Sequence, residues 1–260
     1  MRKVGGYLRS KGVLPVRSFH SKQTGFAKLA ASVANEYIIP EYTPVSDQGQ
    51  LSSCVANAAS DSIELLKGFE DPSKVEQVSR LFLYYNARIY DQSVNKDEGC
   101  FIHNALDSMT KLGVCRESVW DYDITKVFTH PSIEAYREAN SNTIRDFYQI
   151  TSNGSDKIKD IELAIRANHP VIFGTTIGEE LQQYAGANIT FNAPSKGIGD
   201  HAMIIVGVKV KNDGTRAFKI RNSWSNGWGD KGHCWFSDSY LAWNHTNDLF
   251  VPTRMIDFTL

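Results

Sequence analysis

The sequence predicts an α+β fold in which helices come first and strands second. Hydrophobic residues recur at helical spacing in the first half of the 260-residue chain. The second half instead holds runs rich in β-branched residues, and a turn signal joins two of them into a hairpin. Helices followed by strands favour an α+β architecture with two lobes. We expect a cleft where the lobes meet, near residues 145–155.

The chain is predicted to begin with an extension. About the first 28 residues show no sustained hydrophobic period and contain Gly5, Gly6, Gly12 and Pro15, which predicts irregular structure. Residues 37–45 are then predicted to be extended. We therefore divide the chain into an N-terminal extension, residues 1–30, and a main domain, residues 31–260.

A helical lobe is predicted over about residues 45–150. Its three hydrophobic stripes cover residues 54–67, 78–89 and 102–112. Gly68 is expected to end the first helix and Gly113 the third, because a glycine after a periodic segment is a common stop signal.

A β lobe is predicted over about residues 151–250. One more amphipathic helix, residues 158–167, precedes a strand that begins near Pro170. Residues 202–210 and 217–221 flank an Asn-Asp-Gly turn, which predicts a hairpin. His201 begins the first strand of this hairpin and Asn222 ends the second, so we expect the two side chains to be neighbours.

Composition excludes several classes of protein. Hydrophobic residues make up 42% and charged residues 22%, which is typical of globular domains and not of disordered or collagen-like chains. The apolar runs are far shorter than the roughly 20 residues that span a bilayer. No apolar core follows the basic start, which argues against a secretory signal and favours the cytoplasm. Four cysteines in a chain of this length need not form disulfides.

The charges are distributed unevenly. The net charge is −1, so no overall field attracts nucleic acid or anionic lipid, and we expect no nucleic-acid partner. However, seven of the 28 basic residues and none of the 29 acidic residues lie before Glu36. The extension is therefore basic and the rest of the chain acidic, so the two should attract each other at short range. The extension is either a solvated terminus, a regulatory arm on the acidic body, or a tether to nucleic acid or membrane.

Cys54 lies at the start of the first predicted helix. The positive end of the helix dipole favours a thiolate there, and a nearby imidazolium favours it further. A thiolate is a strong nucleophile at neutral pH. Alone, such a cysteine is more often a small buried hydrophobic residue. His201 and Asn222 change that balance, because an amide oxygen that holds an imidazole can orient it as a base for the thiol.

Three segments together resemble the papain-like cysteine peptidases. These are residues 48–54, 200–207 and 222–232, and the likeness extends over about residues 31–252. Cys54 and His201 are 147 residues apart, within the ~130–150 expected of this family. The segment that starts at Gln48 is most similar to bacterial members. The resemblance implies a two-lobed fold with the active site in the cleft, hydrolysis of polypeptide substrates, and no cofactor.

The resemblance also implies a role for each catalytic residue. Cys54 is the nucleophile, His201 the general base and acid, and Asn222 the residue that orients His201. The side chain of Gln48 and the backbone N–H of Cys54 bind the oxyanion. Trp224 shields this group from water.

Substrate-binding residues follow from the same resemblance. Gly99 and Cys100 lie where the family hydrogen-bonds an extended peptide, and Trp228 lines the leaving-group side. The main specificity pocket takes the residue before the scissile residue. Its implied walls are apolar, which suggests a preference for an apolar residue: Phe101, Ile102 and Ala202.

The sequence departs from the family pattern at five positions. The replacements are Leu51 for a half-cystine, Ser52 for a glycine, Val55 for an aromatic residue, Cys100 for the second strip glycine and Ser225 for a glycine. None removes a catalytic group, but they bear on pocket shape and disulfides. The Cys100-x-x-His103 spacing has no second ligand pair, so no metal site is predicted.

Two other functions remain open from the sequence. One is an acyl transferase, of transglutaminase or transpeptidase type, on the same scaffold; the other is a binding module with an inactive site. Endopeptidase activity is favoured because no insertion obviously blocks a cleft end, with residues 90–98 as the candidate for one. About 30 residues precede the domain where many relatives have a longer inhibitory pro-segment. We hypothesise that these residues limit access to the cleft until they are displaced or cut.

Overall fold

A computed structural model describes residues 3–12, 14–19, 34–187 and 189–253 and the backbone of residues 255–257. Predictions that fall on residues 1–2, 13, 20–33, 188, 254 and 258–260 lie outside the described residues. Among these are the boundary between extension and domain at residue 30 and the basic side chains of Arg2, Lys22 and Lys28.

Helices dominate the first part of the described chain, and a few shorter ones lie in the second part. In chain order the helices are α1 Cys54–Glu70, α2 Arg80–Tyr90, α3 Ile102–Lys111, α4 Ile133–Ala139, α5 Gly154–Arg166, α6 Glu179–Gln182 and α7 Asp238–Ala242. Two short 3-10 helices cover Pro72–Lys74 and Ile124–Lys126. Within the described ranges, no helix is long and apolar enough to cross a bilayer.

Strands dominate the second part of the described chain, and a few short ones lie in the first part. In chain order the strands are β1 Tyr7–Leu8, β2 Arg17–Phe19, β3 Glu36–Ile38, β4 Cys100–Phe101, β5 Asn142–Ile144, β6 Phe147–Ile150, β7 Val171–Ile177, β8 Thr190–Phe191, β9 Gly199–Val210, β10 Arg216–Arg221, β11 His233–Ser237, β12 Thr246–Pro252 and β13 Met255–Asp257. Eight form one sheet in the order β2-β6-β12-β7-β9-β10-β11-β8, and β3 joins it beside β9. The α+β prediction is confirmed.

The predicted helix ends were correct in one case and wrong in the other. Helix α3 ends at Lys111, and Gly113 follows with a positive φ of 76°, as a helix stop requires. Helix α1 instead continues through Gly68 to Glu70. A Cβ on Gly68 would overlap with the ring of Tyr42, so this glycine serves close packing rather than termination.

The predicted hairpin places His201 at the centre of the molecule. Strand β9 pairs with β10 on one side and β7 on the other, and residues 201–208 are completely or almost completely buried. Helices α1 and α5 both contact β9. A strand with buried neighbours on both sides reads as a continuous apolar run, which explains the sequence pattern. Because α1 lies against β9, its first residue lies close to His201.

The extension contains two short strands that the sequence analysis did not predict. Strand β2 pairs in parallel with β6 at the end of the large sheet, and Phe19 is fully buried there. Strand β1 pairs in parallel with β4. Each strand uses backbone groups of an edge already present, so neither needs a hydrophobic period of its own. The prediction of irregular structure is wrong for these five residues.

A buried ion-pair cluster joins the helical and β parts. The guanidinium of Arg221, at the end of β10, is fully buried. It contacts Asp61 of α1 at 2.9 Å and Glu41 at 2.6 Å, and it donates to the backbone oxygens of Thr43 and Pro44. Burial opposes the charged form, but Asp61 and Glu41 raise the pKa of Arg221. This cluster fixes the end of β10, from which Asn222 follows, relative to α1.

Candidate active site

Cys54 is the first residue of α1, and its side chain is fully buried. Four backbone N–H groups point towards the sulfur: those of Cys54, Val55, Ala202 and Gly6. The first two belong to the helix N-terminus, whose partial positive charge favours a thiolate. Burial nevertheless raises the pKa of Cys54 to about 12, and the N–H groups oppose this only in part. The thiol is therefore neutral in this state of the molecule.

His201 lies beside Cys54, because the N–H of the next residue, Ala202, reaches the Cys54 sulfur. The His201 ring is fully buried, and its Nε2 lies 2.8 Å from Oδ1 of Asn222. That oxygen also accepts the backbone N–H of Ser223, which identifies it as the amide oxygen. His201 Nε2 therefore carries the proton, and Nδ1 has no partner among the described residues. Burial lowers the pKa of His201 to about 4, although the hydrogen bond that Nε2 donates to Asn222 opposes this.

Trp224 covers the bond between His201 and Asn222. Its ring stacks on the His201 ring with a centroid distance of 4.8 Å and an angle of 25°. Trp228 packs edge-on against Trp224 at 5.2 Å and donates its ring N–H to the backbone oxygen of Leu181. Both indoles are buried, so water is kept from a hydrogen bond that a low dielectric strengthens.

Gln48 is held with its amide nitrogen towards the cleft. Its Oε1 accepts the Ser223 hydroxyl at 2.7 Å, which fixes the orientation of the amide. Its Nε2 donates to the backbone oxygen of Leu51 at 3.0 Å and to that of Lys3 at 3.3 Å. The Lys3 carbonyl oxygen of the extension is thus hydrogen-bonded to the Gln48 amide, a side-chain donor near Cys54. This is the kind of contact that an oxyanion would make.

Gly99 and Cys100 form a short backbone strip along the cleft. The N–H of Cys100 donates to the backbone oxygen of Gly6 at 3.2 Å, and a Cβ on Gly99 would overlap with that oxygen. The Cys100 side chain is fully buried, so the residue still offers its backbone to an extended chain. Phe101 pairs with Leu8, and Ile102 is buried at the start of α3.

Residues 3–12 of the extension, called the arm below, lie in this cleft. The N–H of Gly5 donates to the backbone oxygen of Asp200, and Gly6 fits so closely that a Cβ would overlap with the backbone of Ser52. Ion pairs join Lys3 to Asp97 at 2.7 Å and Arg9 to Asp200 at 3.3 Å. The arm therefore combines charge contacts at its ends with close backbone packing at its centre.

Sequence reasoning missed Tyr7 and Asp248. The phenol of Tyr7 is buried and donates to Oδ2 of Asp248 at 2.7 Å. The two residues are 241 positions apart, and neither belongs to a motif. The Gly5-Gly6 pair was the one local signal, because adjacent glycines permit close backbone approach.

The departures from the family pattern are accommodated locally. All four cysteines are free and buried, so no disulfide is needed next to Leu51. Ser225 has a φ of 61°, a conformation in which glycine is more common, which explains the residue type usual at this position. In the described part of the chain, no group of three His, Cys, Asp or Glu side chains is arranged to hold a metal.

Comparison with known proteins gives one family. The model for papain family cysteine proteases matches residues 35–248. A peptidase C1-like protein of Acanthamoeba polyphaga mimivirus is 30% identical over 277 residues, which cover 97% of this chain and 87% of the viral protein. Falcipain-3 of Plasmodium falciparum is 28% identical over 205 residues, but these are only 38% of its length.

Solved structures support the same conclusion for the fold. Xylellain, a cysteine protease from Xylella fastidiosa, matches with a TM-score of 0.82 and 26% identity over 97% of both chains. A procathepsin L of the Tenebrio molitor larval midgut matches with a TM-score of 0.71 at 19% identity, over 92% of this chain and 74% of that one. The predicted papain-like, two-lobed α+β fold is confirmed.

Proposed function

Because the chain belongs to the papain family of cysteine proteases, we propose that it is an endopeptidase whose reaction is carried by Cys54, His201, Asn222 and Gln48. One observation carries this proposal. Asn222 fixes the His201 ring through Nε2, and Nδ1 of the same ring has no partner among the described residues. The N–H of the next residue, Ala202, contacts the Cys54 sulfur. Stoichiometric labelling of Cys54 by an epoxide thiol inhibitor, with cleavage of a peptide blocked at both ends, tests it.

Acylation follows from this geometry. With substrate in place of the arm, Cys54 transfers its proton to Nδ1 of His201, and the thiolate adds to the carbonyl carbon. The Gln48 side chain and the Cys54 backbone N–H stabilise the resulting oxyanion. His201 returns the proton to the departing amine nitrogen as the C–N bond breaks, leaving a thioester on Cys54.

Deacylation uses the same groups in reverse. His201 Nδ1 takes a proton from water, and the hydroxide adds to the thioester carbon. The C–S bond then breaks, the acid product leaves, and Cys54 recovers its proton. Asn222 holds Nε2 throughout, so the ring presents Nδ1 to the cleft in both steps. If an added amine replaced water as the acceptor, product analysis would reveal acyl transfer instead.

Gln48→Ala is expected to lower kcat by about 10²–10³-fold, because one of the two oxyanion donors is lost. KM should change little, since the donor acts mainly on charge that develops in the transition state. Steady-state kinetics with a fluorogenic peptide measure both constants. Gln50→Ala, at an exposed position two residues along the same turn, is the control and should leave kcat unchanged. A Gln48→Ala enzyme with more than a third of the parent kcat would contradict the assigned role.

An open cleft supports endopeptidase over exopeptidase activity. The arm passes Gln48 with Lys3 and the backbone strip with Gly6, then continues to Leu8 and beyond. A continuous chain therefore fits on both sides of Cys54. The loop at residues 90–98, the candidate obstruction, is instead held against the segment before Cys54, where Asp97 accepts the N–H of Ser52.

The arm is also proposed to inhibit the enzyme. In a substrate, the residue in the main specificity pocket comes before the residue whose carbonyl is attacked. In the arm, Tyr7 fills a side-chain pocket, but it comes after Gly6, the residue next to the Cys54 sulfur. The group of Gly6 that faces the sulfur is its N–H and not a carbonyl carbon. The arm therefore runs opposite to a substrate and offers no bond for attack. It occupies the Gln48 amide and the Cys100 strip, and we expect that it is not cleaved in place.

Gly6→Ala is expected to raise activity, because the new Cβ overlaps with the backbone of Ser52, which has little room to move. Overpacking of about 1–3 kcal/mol would shift the arm equilibrium by about 5- to 150-fold towards the open state. Initial rates of peptide cleavage measure the change. The control is Gly12→Ala in the same arm, where a Cβ meets nothing within 4 Å. Equal rates for Gly6→Ala and the parent would contradict the inhibitory role.

Gly6→Ala is also expected to change the pH dependence of Cys54 alkylation. In the closed state, burial keeps the pKa of Cys54 raised, to about 12, so the reactive thiolate is scarce at neutral pH. Opening the cleft to water relieves that burial and leaves the helix N-terminus and His201 to favour the thiolate. Iodoacetamide should therefore modify Gly6→Ala faster than the parent at pH 7, and the two rates should converge as pH rises.

A further inference from the structure

The hydroxyl of Ser53 does not cap the helix that it precedes. Ser53 is the N-cap residue of α1, a position where a serine side chain usually accepts a backbone N–H of the first turn. Here the side chain makes no such bond, although the residue is fully buried. Its hydroxyl oxygen instead accepts a hydrogen bond from Nδ2 of Asn57 at 3.0 Å, and the hydroxyl also bonds that of Tyr122. The first N–H groups of α1 are therefore left to face the Cys54 sulfur.

A chain of hydrogen bonds joins the start of α1 to the turn that carries Gln48. The Tyr122 hydroxyl has a single hydrogen, which it donates to the backbone oxygen of Gln48 at 3.1 Å. In its bond with Ser53 it is therefore the acceptor, and Ser53 donates. Burial raises the pKa of Tyr122 to about 12, so the hydroxyl keeps its hydrogen at neutral pH. The chain thus runs from the Asn57 amide through both hydroxyls to the Gln48 carbonyl, and its bonds strengthen one another.

Asn57 also sets the direction of the Cys54 backbone N–H. The backbone N–H and the Nδ2 of Asn57 both donate to the backbone oxygen of Ser53, at 3.0 and 2.9 Å. This oxygen and the Cys54 N–H belong to one planar peptide group, so holding the oxygen also orients the N–H. The Asn57 amide is itself oriented, because its Oδ1 accepts a hydrogen bond from the Arg80 guanidinium at 3.3 Å. One end of the chain therefore fixes the backbone donor of the oxyanion site.

The ring of Tyr122 is held by contacts that do not use its hydroxyl. Arg80, the first residue of α2, places its guanidinium 4.1 Å from the ring centroid and donates to the backbone oxygen of Asp47 at 3.2 Å. Glu117 pairs with Arg80 at 2.7 Å and accepts the backbone N–H of Tyr122 at 3.1 Å. A phenylalanine at position 122 would therefore keep its place and lose only the hydrogen bonds of the hydroxyl.

The other end of the chain holds the backbone of Gln48. The other contacts of this residue come from two sources. Ser223, after β10, binds the side-chain Oε1 at 2.7 Å and accepts the Gln48 backbone N–H at 2.9 Å. Leu51, within the same turn, donates its N–H to the Gln48 carbonyl at 3.3 Å. Neither source ties Gln48 to α1, whereas the Tyr122 hydroxyl does so through Ser53.

We propose that Tyr122 is a positioning residue, whose hydroxyl holds the Gln48 side-chain donor at a fixed place relative to the Cys54 backbone N–H. The inference rests on the proposed peptidase activity and on the role of Gln48 in it. Tyr122 acts through the turn that carries Gln48 and not on the substrate itself. Its effect should therefore appear in the rate of the chemical step and should depend on the presence of the Gln48 amide.

The test uses the full chain carrying Gly6→Ala, so that the arm competes less for Gln48. In this background Tyr122→Phe should lower kcat for a blocked fluorogenic peptide by about 3- to 10-fold, the size of one hydrogen bond. KM should change little, because the donor acts on charge that develops in the transition state. Rates are normalised to the fraction of Cys54 that an epoxide inhibitor labels, which removes any loss of folded enzyme. Tyr136→Phe is the matched control: its hydroxyl also bonds an asparagine side chain, that of Asn86 at 2.9 Å, and kcat should not change.

A double-mutant cycle with Gln48→Ala separates positioning from a structural role. Once Gln48 is alanine, Tyr122→Phe should lower kcat by less than about 1.5-fold, because the donor that the hydroxyl positions is gone. A structural role would lower kcat by the same factor in both backgrounds. An equal loss in the two backgrounds, or a loss below about threefold with Gln48 present, would overturn the role of Tyr122 and leave the peptidase intact. If the Gly6→Ala chain cleaves no peptide and the epoxide does not label Cys54, the peptidase proposal fails and this inference fails with it.

Discussion

Cys54→Ala is expected to lower kcat/KM by about 10⁵-fold or more, to the level that binding and the oxyanion donors supply without a nucleophile. In the proposed mechanism the thioester forms on this sulfur, which the N–H of Ala202, the residue after His201, reaches. Single-turnover assays should show no acyl-enzyme, and peptide cleavage should fall below detection. Affinity for an uncleaved substrate peptide should be retained, because the substitution does not change the specificity pocket.

Cys234→Ala is the matched control for this variant. Cys234 is also free and fully buried, but it lies on β11, where it pairs with Ile220 of β10. Its loss should cost stability and leave kcat/KM within a few-fold. Thermal unfolding of both variants checks that each is folded at the assay temperature. A Cys54→Ala enzyme that retains one per cent of the parent activity would contradict the assigned nucleophile.

Arg221→Met is expected to destabilise the fold by about 3–5 kcal/mol, because it leaves two carboxylates near a buried site without their cation. Arg221 is fully buried between Asp61 and Glu41. Methionine preserves much of the volume, so most of the loss is electrostatic. Urea unfolding monitored by tryptophan fluorescence measures the change. Arg116→Met is the control, since the Arg116 side chain is 46% exposed, and surface pairs such as those with Glu76 and Glu138 contribute about 0–1 kcal/mol.

The loss of stability in Arg221→Met is expected to depend on pH in a definite direction. Although burial favours the neutral acid, hydrogen bonds from His233 and Arg221 lower the pKa of Glu41 to about 2, from an ordinary value of 4.5. Its contribution to the parent is therefore complete above about pH 4.5 and is lost as pH falls towards 2. In Arg221→Met the Glu41 carboxylate loses one of the two partners that lower its pKa, so this stabilisation is smaller in the variant. The difference in unfolding free energy between parent and variant should shrink in acid; a constant difference would argue that packing, not charge, dominates.

Much of the helical lobe and the contact between His201 and Asn222 followed from the sequence. The stripes predicted α1, α2 and α3 because amphipathic helices on a core carry a local period. The Asn-Asp-Gly turn predicted the β9–β10 hairpin and, through it, the contact of His201 with Asn222. These features are encoded within a few dozen residues, so their signals survive in a single sequence.

The arm and its contact with Asp248 could not be predicted in the same way. Strand β1 is two residues long and takes its partner from β4, nearly a hundred residues away. Asp248, which binds Tyr7, lies where the pairing of β12 with β7 shifts register. No local period reports such contacts. Charge asymmetry pointed towards the arm, but only the close fit of Gly6 against Ser52 shows where its backbone lies.

The anchoring of β2 has a kinetic consequence. Because β2 pairs with β6 and buries Phe19, residues 3–12 stay tethered a few residues from their binding site when they leave the cleft. A short tether gives an effective local concentration of the order of millimolar, whatever the concentration of the protein. Dilution would therefore not activate the enzyme, and a substrate would have to compete with an arm whose local concentration stays constant. Cutting the chain between residue 12 and β2 would turn the arm into a free peptide, and its rebinding would then depend on the concentration of that peptide.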